Sequence, residues 1–344
     1  MLRLLQTAFV ISFFLVMMTL LVRDHVIPDL RRGGTVEIES EVMTDSWVNQ
    51  DEWLAVEIGD MRLGGLRLSS SHESAREKYI LSAHLQVDAA LFRARLLSTA
   101  VLDRRLRLEQ FRLRGHVPTA GGELLSPAEV DAEELPEGTL EATGYVDGQT
   151  LLLRLRRADA VQHLSMRLAR PVTLADSLAP IMRSEMLTKG VVYSTEVYDP
   201  LWGNRAGQVH IEYVEDRVVT VGGEELEVRV IEQRLGSQRL ILLVDEDGQI
   251  VRRTIPLFGA RGGHIAGMDR DAAIVLSRLE PVDARRQFPG LDYIPREPDL
   301  RREDVTGTDR GRVVPTMSLF DILSQGGPLR NLQRPPELDQ TPPR

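Results

Sequence analysis

The residues of this chain whose spacing could do chemistry are histidines, serines, carboxylates and arginines, and it holds no cysteine. Thiol catalysis, disulfides, thiolate zinc sites and a cysteine-linked lipid anchor are thereby excluded. The histidines are His25, His72, His84, His116, His163, His210 and His264. No two stand four residues apart, the spacing that sets two metal ligands on one helix face, and no Glu-flanked pair occurs. His84 and His210 occupy polar positions of alternating strands, which predicts rings facing water.

Three other clusters have the composition of a site without its grammar. Ser69-Ser70-Ser71-His72-Glu73-Ser74 lacks a nucleophile elbow and reads as a polar loop after a hairpin. Gly259-Ala260-Arg261-Gly262-Gly263-His264 lacks the Lys-Ser/Thr end of a phosphate loop. Asp245-Glu246-Asp247-Gly248 lacks the distal glutamate of a calcium loop and reads as a hairpin turn. No catalytic residue, metal site or cofactor is predicted. One charged stretch stands out: Arg93, Arg95, Arg105, Arg107, Arg112 and Arg114, with Arg104 among them. Such a basic patch suits anionic lipid headgroups or the acidic 121–138 segment; the alternative is a solvated strand face.

The elements that must position these groups begin with an apolar run, Leu4 to Val22, which carries no charged side chain. As a helix it reaches about the hydrocarbon thickness of a bilayer. Met1-Leu2-Arg3 precedes it and no Ala-x-Ala follows, so it reads as an uncleaved transmembrane signal-anchor rather than a cleaved signal. Orientation is in conflict. Arg23, Arg31 and Arg32 favour a cytoplasmic body, whereas the short, singly charged start favours export. We expect a single pass through a bacterial inner membrane with the body in the periplasm.

After residue 35 the hydrophobic period is two. Leu81, Ala83, Leu85 and Val87 alternate with Ser82, His84 and Gln86; Leu151, Leu153 and Leu155 alternate with more polar neighbours, as do Val209, Ile211 and Tyr213, and Leu226, Val228 and Val230. One-sided alternation predicts antiparallel sheet with one face on a core. Gly64-Gly65, Asp147-Gly148, Gly222-Gly223, Gly236-Ser237 and Asp247-Gly248 supply hairpin turns. A change of phase between Arg105 and Leu113 predicts a bulge near Glu109-Gln110. One helix is expected over Pro171–Gly190, kinked at Pro180. The acidic stretch from Gly121 to Gly138 reads as a long loop at the sheet's edge and a candidate seam between two halves.

The expected fold is mainly β: a curved antiparallel sheet or half-barrel over residues 35–279 with one packed helix, behind an anchor and linker at 1–34. Ten of the eighteen prolines fall between Pro281 and Pro343. Residues 280–344 therefore read as an extended tail, with an apolar motif (Met317, Leu319, Phe320, Ile322, Leu323) at 315–326 that docks on its own domain or on a partner. The net charge of −9 argues against nucleic acid as a partner.

A set of local motifs joins these elements. It comprises Arg23-Asp24-His25, Gly64-Gly65, Gly144 to Gly148, the 171–190 segment, Tyr198-Asp199-Pro200-Leu201-Trp202, Val244 to Gly248 and Asp269-Arg270-Asp271. Over about Val36 to Leu276 the chain resembles the β-rich extracytoplasmic region of bacterial envelope proteins, the kind that can precede a transglutaminase-like domain. The catalytic cysteine domain of that family has no counterpart here. The resemblance implies a non-catalytic envelope module.

The functional expectation is a membrane-anchored binding or scaffolding protein. Its partners would be the bilayer, through Leu4 to Val22, and an envelope protein or apolar ligand. Candidate lining residues for a ligand are Leu151, Leu153, Leu155, Val209, Ile211 and Tyr213, whose plainer role is core packing. The rival classes are an accessory subunit of a membrane transport complex and a hydrolase with an unrecognised site.

Overall fold

The computed structural model of the chain describes residues 36–38, 47, 49–89, 92–118, 122–157, 160–168, 172–174, 178, 187–198, 207–221, 223–235, 238–256 and 273–306. The first half supplies β1 (Val36–Glu37), β2 (Gln50–Ile58), β3 (Met61–Glu73), β4 (Lys78–Ala89), β5 (Phe92–Leu102), β6 (Leu108–His116), helix α1 (Pro127–Val130), β7 (Thr139–Asp147), β8 (Thr150–Arg157) and β9 (Ala160–Arg167). The second supplies β10 (Thr173–Leu174), β11 (Val192–Tyr198), β12 (Gly207–Val221), β13 (Glu224–Leu235), β14 (Gln238–Val244), β15 (Ile250–Pro256) and β16 (Ala273–Arg278), then helices α2 (Pro281–Gln287) and α3 (Arg302–Val305).

All sixteen strands belong to one sheet. Its order is β1-β11-β12-β13-β14-β15-β16-β2-β3-β4-β5-β6-β7-β8-β9, with β10 also on β11. The neighbours are antiparallel and consecutive in the chain except where β16 pairs with β2, and at β1 and β10, which both run parallel to β11. Period-two alternation and tight glycine turns produce this meander. Gly148 takes φ +61° between the paired Asp147 and Thr150, a conformation costly for any residue with a Cβ. The Asp247-Gly248 turn behaves likewise, and the bulge falls at Glu109, where Val101 pairs with Gln110 and Leu102 with Leu108.

The sheet is open but rolled. Phe111 on β6 and Tyr198 on β11 have ring centroids 6.0 Å apart. Those strands stand ten places apart in the sheet order, which would separate them by roughly 48 Å if the sheet were flat. Two hydrogen bonds close the roll on the same side: Leu108 N–H to the Val172 carbonyl at 2.9 Å and the Thr173 hydroxyl to the Leu106 carbonyl at 2.6 Å. Inside lies the main core, where Leu102, Phe111, Leu113 and Leu151 meet Val197, Ile211, Ile231 and Val244.

Several expectations are corrected. Gly64 and Gly65 make no turn; they lie within β3, and the hairpin before it turns at Gly59-Asp60. Both are packing glycines: a Cβ on Gly64 would run into the Gln86 carbonyl of β4. Ser69 to Glu73 are also strand, not loop. Thr173 and Leu174, placed in the expected helix, form strand β10. Leu178 and Leu187 are buried, and most of the remaining 171–190 segment lies outside the described residues. The acidic segment is no seam, because β6 pairs directly with β7 across its base. Residues 280–306 are no free tail either; they cross the outer face of the sheet as a strap. The Leu4–Val22 run and the 317–323 motif lie outside the described residues, among which no helix is long and apolar enough to cross a membrane.

Candidate functional site

The strap explains the arginines. β3 to β8 each offer long polar side chains on the outer face, and the chain crossing them offers backbone carbonyls. Arg67 donates to the Asp292 carbonyl, Arg112 to that of Arg296 at 2.8 Å, and Arg154 to that of Asp304 at 2.8 Å. Arg95 donates to Leu125, and Arg114 to Val130 and Ala132, in the segment before β7. Each guanidinium satisfies a carbonyl that extended, Pro-rich chain cannot pair within itself. Gln110 Oε1 accepts from Leu300 N–H at 3.0 Å, and Thr99 donates to the Pro295 carbonyl.

Carboxylates neutralise this face from within. Asp131, its side chain 1% exposed, lies 3.1 Å from Arg112 and 3.8 Å from Arg114. It also accepts from the Tyr293 hydroxyl at 2.8 Å and Arg296 N–H at 2.9 Å. Glu141 pairs with Arg114 at 2.6 Å and Arg154 at 3.4 Å. Burial holds the Arg95 and Arg112 guanidiniums below their ordinary values, partly offset by Glu129 and Asp131 respectively. Burial and then the hydrogen bond to Asp131 raise Tyr293.

The basic patch is thus divided. Arg95, Arg112 and Arg114 are clamps beneath the strap and the 122–138 segment. Arg93 stays exposed and pairs with Asp88 at 2.8 Å. Arg105 and Arg107 sit on a tight turn where Asp103 accepts both their backbone N–H groups. His84, expected to face water, is 1% exposed beneath the strap. His210 is half-buried, and His72 stacks on Tyr79 at 4.4 Å.

The inner face holds the second feature. Residues paired across antiparallel strands share a face. Leu81 and Ala83 on β4 therefore share the core face with Ala100 and Ser98 on β5 and with Ser70 and Leu68 on β3. On β4 the burial is inverted relative to hydropathy. Ser82, His84 and Gln86 are buried, whereas Leu81, Ala83, Leu85 and Val87 are only half-buried. The same holds for Leu66 and Leu68 on β3, Leu96 on β5 and Ile255 on β15. A small cleft with about 70 Å³ of accessible space, partly open to solvent, runs over this floor. Its walls include Leu68, Leu81, Ala83, Ala100 and Leu174; Trp47, Gln50, Glu52 and Arg253 give it a polar end. The small side chains of Ala83, Ser98 and Ala100 leave the room that leucines fill elsewhere in the roll.

The lining residues expected from the sequence lie elsewhere. Leu151, Leu153 and Leu155 on β8 and Val209 and Ile211 on β12 are buried in the main core, with Tyr213 packed against it. Residues of β8 and β12 belong to one hydrophobic cluster, as packed core. The groove residues went unread because small residues on a core face look like ordinary packing until the register is known. No group of three or more metal-ligating side chains occurs among the described residues. No family model matches the chain, and no curated protein is significantly similar to it.

Proposed function

We propose that this chain is a membrane-tethered, non-catalytic envelope protein whose rolled sheet shelters one acyl chain of a lipid in the cleft over β3 to β5. The observation that carries the reading is the half-buried apolar floor on a face that elsewhere is closed core. The cleft is small, with about 70 Å³ of accessible space, and is partly open to solvent. Its apolar floor and its polar end at Gln50, Glu52 and Arg253 match a chain with a polar head. The apolar run Leu4 to Val22, read as an anchor, and the resemblance to envelope modules would set that cleft beside a source of lipid. Protein scaffolding is the second reading. It is favoured by β9, which pairs only with β8 among the described residues and so leaves a strand edge open.

The test is photo-cross-linking of the full chain in native membranes with a photoactivatable fatty acid, followed by peptide mapping. Adducts on peptides covering Leu66–Val87 and Ala94–Ala100 support the proposal. Adducts confined to the Leu4–Val22 segment would overturn it.

A further inference from the structure

The strap covers a histidine that has no hydrogen-bonded partner. His84 projects from β4 onto the outer face, opposite Arg67 on β3 and beside Arg95 on β5. Neither Nδ1 nor Nε2 makes a hydrogen bond within normal geometry. From the strap, the backbone carbonyls of Leu291 and Tyr293 approach the ring and favour its protonated form. Nearby, Phe288 and Leu291 seal the strap onto Gly65 and the Trp53 ring. Among the described residues the charged groups that act most on the ring are Arg95 and Arg67, both positive, and the two carbonyls favour a proton on it; Arg67 is itself paired with Asp51.

We propose that the strap from Pro281 to Thr306 is a proton-operated latch, in which charging His84 drives its central part, about Leu291 to Pro298, off the outer face of the sheet. A charged imidazole there meets two guanidiniums in a dry site, and lifting the strap readmits water. The uncovered surface is the row of Arg67 and Arg112, with their carbonyl partners Asp292 and Arg296 removed, and with Arg95 beside them still held by Leu125.

The sign follows from the two states of the ring. In the closed form burial, then Arg95, push the His84 value down to about 4. In the open form it returns to the ordinary value of about 6.5. Above that range both forms are neutral and the latch stays shut. As pH falls from about 6.5 toward 4 the open form takes up the proton first, so closure weakens. At pH 5 the opening constant should be about 30-fold larger than at pH 7.5. The neighbouring His116, on β6 beneath the 122–138 segment, is also held low by burial. It faces Arg95, Glu129 and the Glu123 backbone rather than the strap, and therefore serves as a control.

The experiment is hydrogen exchange of the full chain, corrected for intrinsic rates, on peptides spanning Leu291–Pro298. It compares the unaltered chain with His84→Leu, His84→Gln and His116→Leu between pH 5 and 7.5. About a 30-fold rise in opening at pH 5, abolished by either His84 substitution and kept by His116→Leu, supports the latch. A flat profile in the unaltered chain, or a rise that survives both His84 substitutions, overturns it. If the variants fail to fold, the His84 ring titration by nuclear magnetic resonance decides: a midpoint near 4 supports the proposal and one near 6.5 overturns it. Neither readout involves the acyl chain, so the latch and the cleft stand or fall separately.

Discussion

A Cβ placed on Gly65 would stand 2.5 Å from the ring of Phe288, and 2.9 Å from Leu291 Cδ2. The two partners come from the middle of β3 and from the strap just past α2. Their fit shows that the strap is built into the fold, since a glycine within a strand weakens it and here gains the close approach. Gly65→Ala should therefore push Phe288 outward and destabilise the chain by about 1–3 kcal/mol. Urea unfolding measures the loss, and hydrogen exchange should place it at 288–293 rather than across β3.

A second glycine makes the same argument inside the roll. A Cβ on Gly144 of β7 would collide with the Phe111 ring of β6. Gly144→Ala should cost about 1–3 kcal/mol by overpacking. Phe111→Leu, itself destabilising, should recover part of that cost when the two are combined. A double-mutant cycle with a coupling energy near zero would show that the ring and the glycine are independent.

Glu141 is the keystone of the buried charges, since among the described residues it alone joins Arg114 to Arg154. Glu141→Gln leaves the buried Arg114 and the partly exposed Arg154 with less neutralising charge. The expected loss is about 3–5 kcal/mol. Arg154 also donates to the Asp304 carbonyl, so residues 302–306 should become the least protected part of the strap. Equal loss everywhere would contradict the clamp.

The meander was legible in the sequence, and its reason is local. Each hairpin needs a turn and two alternating runs, and Asp147-Gly148 or Asp247-Gly248 state both within a dozen residues. What alternation cannot state is which face is covered, or by what. Ser82, His84 and Gln86 look solvent-facing because their cover is a backbone. The strap pairs through carbonyls, which have no hydropathy, and it is rich in proline, arginine and aspartate. Two signals were nonetheless present: a Gly-Gly pair inside a long alternating run with no turn to make, and Phe288, Leu291 and Tyr293 standing apolar and aromatic in a Pro-rich stretch. The roll was hidden for another reason. Phe111 and Tyr198 meet across ten strand places, and no local pattern encodes so distant a contact.

The most direct test of the cleft is to fill it. Ala83 lies on the floor with Ser98 and Ala100 beside it, so Ala83→Trp puts an indole where the acyl chain is proposed to lie while leaving the strap side untouched. Full-length chain and variant would be photolabelled side by side in membranes with the same fatty acid probe. The account predicts that labelling of the β3–β5 peptides falls at least tenfold in the variant, with hydrogen exchange of β7 and β8 unchanged. Undiminished labelling of those peptides in a folded variant would contradict it.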